Sequence, residues 1–590
     1  MKSSVAPIHY QVVALDVHAH LWQVTLTIDQ PLALQTLQMP VWIPGSYMVR
    51  EFSKQLSLMN AHQAGQFCKV TQTAKATWQV QTALNKPLTI QYQVHAHDAS
   101  VRTAWLDTNR GFFNPTSLCV IACGFEDQPH TVHIASPLEH PDWQLATALT
   151  PLKINAKGFG VYQAANYDEL ADSPVEMAAF WSARFIAQGV SHRVVVSGAA
   201  PSFDGARLLK DIQSICETEI HFWHAKSKPP HDRYVFLINA VADGYGGLEH
   251  QHSTALICKR EDLPRVEQVT ASDGYVSLLG LISHEYFHTW NVKRLRPASF
   301  TRYDYTQENY TDLLWFFEGF TSYYDDVLLC RAELISPAVY LKLLGKTINH
   351  VLQTPGRKIH AVAHSSFEAW TKLYLPDANS ANLSVSYYAK GSLVGLCLDL
   401  SLRQIGHSLD EVMRGLWKRC KAGPMHETDV LQVLKDITGR SWQREIKAWV
   451  HGTADLPLQN LLSAQGVEIT QEKAPLAQQL GLRVQENHAV QIKTVLSHSV
   501  AQSAGFAPGD EWLGVTVHLT SGKTSAWRIH RIDQLPALLG KHKSFEALVS
   551  RDGQLLQLPV RLPAKSQYVW RLGIKQPTQV GQWLAGKPAP

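Results

Sequence analysis

The chain has 590 residues, 45% of them hydrophobic and 18% charged, the balance of a folded globular protein rather than a disordered one. That length predicts three or four domains. A formal charge of +4 is small for this size and no dense Lys/Arg run occurs, which argues against nucleic-acid and membrane-surface binding.

The first residues, Met1 to Pro7, lead straight into strand-like sequence without an apolar stretch and cleavage site, and nowhere is there an apolar run long enough to span a bilayer. Export and membrane insertion are not expected, and a cytoplasmic location is. The 8 cysteines form no CxxC pair and sit mostly in apolar surroundings, as reduced core thiols do. Cys119 and Cys123 could bridge in principle, but a reducing compartment argues against it.

From Ile8 to about residue 165 the pattern has period two: Trp22, Val24, Leu26 and Ile28 share one face, and Leu88, Ile90, Tyr92 and Val94 line another strand. Turn formers such as Pro44-Gly45-Ser46 separate these runs. An antiparallel β-sandwich over residues 1–165 is predicted. It shows no catalytic constellation, so packing and support of a substrate cleft are its expected roles.

Helical periodicity then dominates, marking a domain over residues 166–460. Tyr234-Val235-Phe236-Leu237-Ile238 reads as an edge strand just before the loop Asp243-Gly244-Tyr245-Gly246-Gly247. Backbone at Gly246 and Gly247 can approach a ligand closely, so an extended peptide could lie along this edge by strand addition.

The most informative stretch is His284-Glu285-Tyr286-Phe287-His288. Ser272 or Asp273 can cap a helix that runs through the apolar Val276–Ser283 into this motif. On a helix, positions i and i+4 share a face, so both imidazoles can reach one metal ion while Glu285 addresses a water beside it. This is the HExxH arrangement of zinc hydrolases. A second apolar run opens at Thr311-Asp312, and Glu318 is its only charged residue before Asp325. A lone carboxylate in such company is costly unless paired or metal-bound. Two histidines and a glutamate would hold one Zn2+ per chain and leave the fourth position open, as catalytic sites require.

Residues 461–565 return to short alternating runs, with Val490, Ile492 and Val495 in one of them. Residues 566–590 are expected to be a tail whose last residues, Gly586 to Pro590, fray.

HExxH followed by a Glu in a second aromatic-rich helix resembles the gluzincin metallopeptidases, whose catalytic domain is thermolysin-like. The longer string from His284 to Pro297 resembles the glycyl aminopeptidase family, gluzincins with a PDZ domain, and Trp42-Ile43-Pro44-Gly45-Ser46-Tyr47 resembles a recurrent segment of its N-terminal domain. Gly246-Gly247-Leu248-Glu249-His250 stands where the related aminopeptidase N family has Gly-x-Met-Glu-Asn, and Tyr388-Ala389-Lys390-Gly391 resembles its Tyr-Glu-Lys-Gly segment. Leu248, His250 and Ala389 depart from those patterns. Leu480-Gly481-Leu482 and Ala504-Gly505-Phe506-Ala507-Pro508-Gly509-Asp510 resemble a PDZ domain, although Pro536 would remove a backbone donor from its groove helix.

The resemblance covers nearly the whole chain and implies a multidomain α+β zinc aminopeptidase. His284, His288 and Glu318 would hold the metal, and Glu285 would be the general base. Tyr388 would stabilise the oxyanion, with the adjacent Tyr387 as its competitor for that role. Glu249, with Gly246 and Gly247, would bind the substrate. Peptides with a free, small N-terminal residue (Gly or Ala) would be the substrates. A thermolysin-like endopeptidase, or a PDZ scaffold or chaperone with a vestigial metal site, are the alternatives. The PDZ domain itself would be either a structural or regulatory module or a captor of a peptide C-terminus.

Overall fold

Alternation in the N-terminal third produces strands. In Leu21–Ile28 every second residue is buried, so that Trp22, Val24, Leu26 and Ile28 enter the core. In the computed structural model, which describes residues 7–225, 227–519 and 522–586, this strand pairs antiparallel with Ile8–Asp16 and with Leu88–His95 in an eight-stranded sheet. One pair departs from the antiparallel expectation: Ile8–Asp16 lies parallel to His130–Ile134. Two four-stranded sheets complete this layer. The strand Val175–Ala178 belongs to one of them, pairing with Arg110–Phe113 and Gln144–Thr147, so the layer extends beyond residue 165. Buried tyrosines in it satisfy their hydroxyls on backbone carbonyls, Tyr10 on Val120 at 2.8 Å and Tyr92 on Leu118 at 2.7 Å.

A five-stranded sheet follows, in the order Trp181–Ala187, Val190–Ser197, Arg233–Val241, Ser253–Lys259, Gly246–Glu249. The position of Arg233–Val241 corrects the expectation that Tyr234–Ile238 forms an edge. This strand pairs in parallel on both sides, and Tyr234 to Ala240 are all buried. An unbroken apolar run is the signature of a strand covered on both faces. The edge is the next segment, Gly246–Glu249, antiparallel to its single neighbour. The helices Gly205–His224 and Asp273–Phe287 pack on each other and on this sheet.

The chain forms two units, the first comprising Met1–Thr311, Tyr324–Leu334 and Met413–Asp429. The second comprises Asp312–Tyr323, Ile335–Val412 and Val430–Pro590. The second is helical at first, with Pro337–Leu352 and the almost wholly buried Tyr387–Arg403 as its longest helices. It then forms a sheet of Leu482–Glu486, Val490–Val495, Glu511–His518, Thr524–Arg528, Ser544–Arg551 and Gln554–Arg561 around Trp512 and Phe545. Pro536 stands in the first turn of Leu535–Leu539, where no helical donor is required, so it deprives that helix of nothing. The stretch expected as a tail is built structure. Tyr568–Ile574 pairs with Val467–Lys473, and the helix Pro577–Leu584 buries Trp583. Of Gly586 to Pro590, expected to fray, 587–590 lie outside the described residues, as do 1–6 of the N-terminal stretch Met1 to Pro7. Among the described residues no helix is long and apolar enough to cross a membrane.

Three buried histidines make the first unit sensitive to acid. Burial pushes His130 and His192 down to about 4 and His231 down to about 2. The unfolded chain takes up these protons near pH 6.5 and the folded chain does not, so stability falls as pH drops from 6.5 toward 4. Each neutral histidine should contribute about 1.4 kcal/mol per pH unit in that window. Urea midpoints measured from pH 7 to 4.5 should fall, and His192→Gln should make the fall shallower.

Candidate metal and substrate site

The motif helix Asp273–Phe287 is capped by Ser272, whose Oγ accepts the Tyr275 N–H at 3.0 Å. It is apolar on nearly every side and anchored from below. Ser283 Oγ donates to Glu219 at 2.9 Å, while the Tyr286 hydroxyl meets His192 Nε2 at 2.9 Å and His231 Nε2 at 3.2 Å. The helix stops at Phe287, one residue short of the full motif. His288 nevertheless keeps α-helical backbone angles and donates its N–H to His284 O at 3.3 Å, so the i, i+4 relation holds.

The two imidazole rings lie 4.7 Å apart at 85° to each other. Each has one nitrogen engaged by an oxygen acceptor. His284 Nδ1 faces Asp325 Oδ2 at 3.1 Å, and His288 Nδ1 faces the Asn291 carbonyl at 2.8 Å. Donation from Nδ1 fixes the tautomer and leaves both Nε2 lone pairs for a metal, the outer support that metal-binding histidines ordinarily receive. The donor set therefore fits a borderline-soft divalent ion such as zinc.

Acidic groups converge on the same place. Glu249, Glu285 and His288 each bring a ligand atom to within 4.8 Å of the others. Both carboxylates are 5% exposed, and His288 is 1% exposed. Glycines make room for them. A Cβ on Gly247 would overlap the Glu285 carboxylate, so a larger residue there would have to displace that side chain. Gly45, at φ +81°, comes from the N-terminal layer, and a Cβ there would stand 2.5 Å from both Glu249 oxygens.

A buried ion pair ties the loop after Glu249 to the N-terminal layer. Lys293 Nζ donates to Asp172 at 2.7 Å, and Asp172 also receives His250 Nδ1 at 3.1 Å and the Gln251 N–H at 2.7 Å. Burial alone would raise the Asp172 carboxyl, but Lys293 and His250 hold it well below the carboxylate range. Burial likewise disfavours the Lys293 ammonium, and the Asp172 charge overrides this and raises it.

In the second unit, the apolar run expected as one helix divides at Glu318. This residue is 2% exposed and lies between Leu314–Phe317 and Gly319–Arg331. The helix Tyr387–Arg403 begins at the two tyrosines, with Ser386 Oγ accepting the Ala389 N–H. Tyr387 is wholly buried, and burial, then Tyr374 and Glu318, push its hydroxyl well up. Tyr388 is only partly buried and its hydroxyl meets that of Tyr374 at 3.0 Å.

Within the first unit, then, His284, Glu285, His288, Glu249 and Gly247 come together, whereas Gly246 has open space around its Cα. Sequence reasoning missed Asp325, Asn291, Asp172 and the contact made by Gly45. Asp325 had a signal: it follows Glu318 by seven residues with no charged residue between them. Asn291 acts through its backbone and had none.

Residues 9–179 match the family model described as the peptidase M61 N-terminal domain, and residues 277–394 match that described as M61 glycyl aminopeptidase. A crystal structure described as an aminopeptidase N family protein from Idiomarina loihiensis is 35% identical, with a TM-score of 0.92 over 98% of this chain and 100% of that one. An M1 zinc metallopeptidase from Deinococcus radiodurans shows 14% identity and a TM-score of 0.47, covering 76% of this chain and 94% of its own. No curated protein matches the sequence. With a relative so similar along its whole length and both halves of the family pattern present, the chain belongs to the M61 glycyl aminopeptidase family and is a zinc metallopeptidase.

Proposed function

We propose that this peptidase removes the N-terminal residue of peptides, favouring glycine and alanine, with one zinc ion held by His284, His288 and Glu318. The observation that carries the exopeptidase reading is the separation of Glu249 from Glu285, whose nearest oxygens lie within 4.8 Å. Within one amino-acid residue the nitrogen and the carbonyl carbon are about 2.5 Å apart. A substrate whose carbonyl stands at Glu285 therefore presents its α-nitrogen to Glu249, and only a terminal nitrogen carries the ammonium that a buried carboxylate would hold. Glu318 as third ligand is supported by the family resemblance and by its being a carboxylate 2% exposed in an otherwise apolar run. The preference for small residues rests on the resemblance to glycyl aminopeptidases.

Bound zinc would acidify water from a pKa of about 15.7 to about 7 and polarise the scissile carbonyl. Glu285 would take the proton of the attacking water and pass it to the leaving nitrogen. Its burial beneath Gly247 keeps that carboxylate in one place and excludes bulk water. Tyr388, the less buried of the tyrosine pair, would donate its hydroxyl to the developing oxyanion, a contact typically worth about 10²- to 10³-fold in rate. Tyr387, enclosed in the core, suits a packing role.

We read residues 461–565 as a PDZ domain and favour its structural use. Asn382 of the helical segment donates to Val495 O at 3.0 Å and accepts the Ser497 N–H at 2.8 Å, while Arg483 donates to Thr354 Oγ1 at 3.2 Å. These bonds fasten the sheet to its own unit. A cytoplasmic location is consistent with 8 cysteines that all remain thiols.

Glu249→Gln should lower kcat/KM on alanine p-nitroanilide by about 10²-fold, the expected scale for losing a charge-assisted contact to a buried ammonium. Cleavage of N-acetylated peptides at internal bonds by the unmodified enzyme would instead establish the endopeptidase. Asp325→Asn should weaken zinc binding about 10- to 100-fold in a chelator competition, because it removes the charge that orients His284.

A further inference from the structure

Arg102 stands in a turn of the N-terminal layer, 145 residues before the strand it reaches. The turn is tightly built. Ser100 N–H donates to Asp98 Oδ1 at 2.9 Å, Arg102 N–H to Ser100 Oγ at 3.2 Å, and Asn114 Nδ2 to Val101 O at 2.7 Å. Val101 is 4% exposed and shares an apolar cluster with Leu248 of the edge strand. From this support Arg102 Nη2 donates to Gly247 O at 3.1 Å.

The sheet ladder shows which way that carbonyl points. His250 N–H donates to Ser253 O, so in the antiparallel pairing His250 faces inward, and with it Leu248 and Gly246. Gly247 and Glu249 consequently turn their backbone groups to the open side, along which a bound peptide would lie. Gly247 also presses against Glu285. The guanidinium thus stands at the strand edge, beside the point where the scissile carbonyl would be.

Its charge lacks a counter-ion. Arg102 makes no ion pair among the described residues, and its Nε is buried without a hydrogen-bond partner. Arg110 of the same layer shows the usual solution, a two-pronged pair with Glu176 at 2.8 and 2.7 Å. A partly buried guanidinium with an idle donor is costly, and its planar fork suits a carboxylate.

We propose that Arg102 receives the free C-terminal carboxylate of short substrates, so that the enzyme prefers dipeptides and tripeptides. In these the carboxylate follows the scissile carbonyl by one or two residues, at about 3.5 Å each, along the strand edge at which Arg102 stands. The inference rests on the aminopeptidase reading: Glu249 takes the ammonium end and Arg102 the carboxylate end.

The test compares Ala-Ala with Ala-Ala amide, and Ala-Ala-Ala with its amide, by release of free alanine. The unmodified enzyme should favour at least one free acid by tenfold or more in kcat/KM, the scale of one charge-assisted bond. Arg102→Gln, which can still donate to Gly247 O, should lose most of that preference, and Arg102→Lys should keep part of it. Equal turnover of acid and amide by the unmodified enzyme would overturn the proposal. So would a variant that lowers both in proportion, since a residue that only braces the edge strand leaves the ratio untouched. Absence of alanine release from every peptide would instead bring down the aminopeptidase reading and this inference with it.

Discussion

The site depends on one close approach: the edge strand crosses the motif helix at Gly247, so near to Glu285 that a Cβ would overlap its carboxylate. Main chain here takes the place that a side chain would otherwise fill. It holds the Glu285 carboxylate in a buried, single position and brings Glu249, two residues along the same strand, into the same small space. A looser crossing would leave both acids exposed and free to rotate. A glutamate that samples many rotamers is a poor base, and one that samples water is a weak partner for an ammonium group.

That approach is maintained from the N-terminal layer. Gly45 backs the Glu249 carboxylate, Arg102 holds the outward carbonyl of Gly247, and Asp172 fastens the loop that follows Glu249 through Lys293, His250 and Gln251. The N-terminal layer contains no catalytic pattern of its own, yet three of its residues determine where the edge strand lies. Removing it would take away the rear wall of the site as well as packing surface.

These dependencies explain how far the chain could be read in advance. His284 and His288 were legible because a helical period of 3.6 brings residues four apart onto one face, whatever surrounds them. The β-rich N-terminal layer was legible from alternation, but its parallel pair was not, because pairing partners far apart in sequence leave no periodic trace. Tyr234–Ile238 was misplaced at the edge for a related reason: a run of five apolar residues signals burial on both faces, and the glycine-rich segment beyond it concealed the true edge strand. The stretch after residue 565 offered short alternating pieces too weak to distinguish from a tail, although Val467–Lys473 supplies the partner that makes them a sheet. Arg102 and Asp172 were beyond reach, since a charged residue in a turn declares nothing about what it touches more than a hundred positions away.

The distribution of charge around the motif helix adds a final constraint. Burial, with the Asp325 charge behind it, raises the Asp326 carboxyl well above its ordinary range, and burial does the same to Glu219 beneath Ser283. Burial also raises Asp325, against the pull of His284. With Glu249 and Glu285, five carboxyl groups lie around the motif helix, while the buried Lys293 ammonium donates to Asp172. A buried charge must be paired or lose its ionisation. Burial disfavours the charged forms of Asp326 and Glu219. Glu249 and Glu285 lie buried beside His288, where a bound cation would meet two carboxylates. Where a buried carboxyl has its charged form disfavoured and holds no ligand, its neutral counterpart should tighten the fold, the usual exchange between stability and a site built for a ligand.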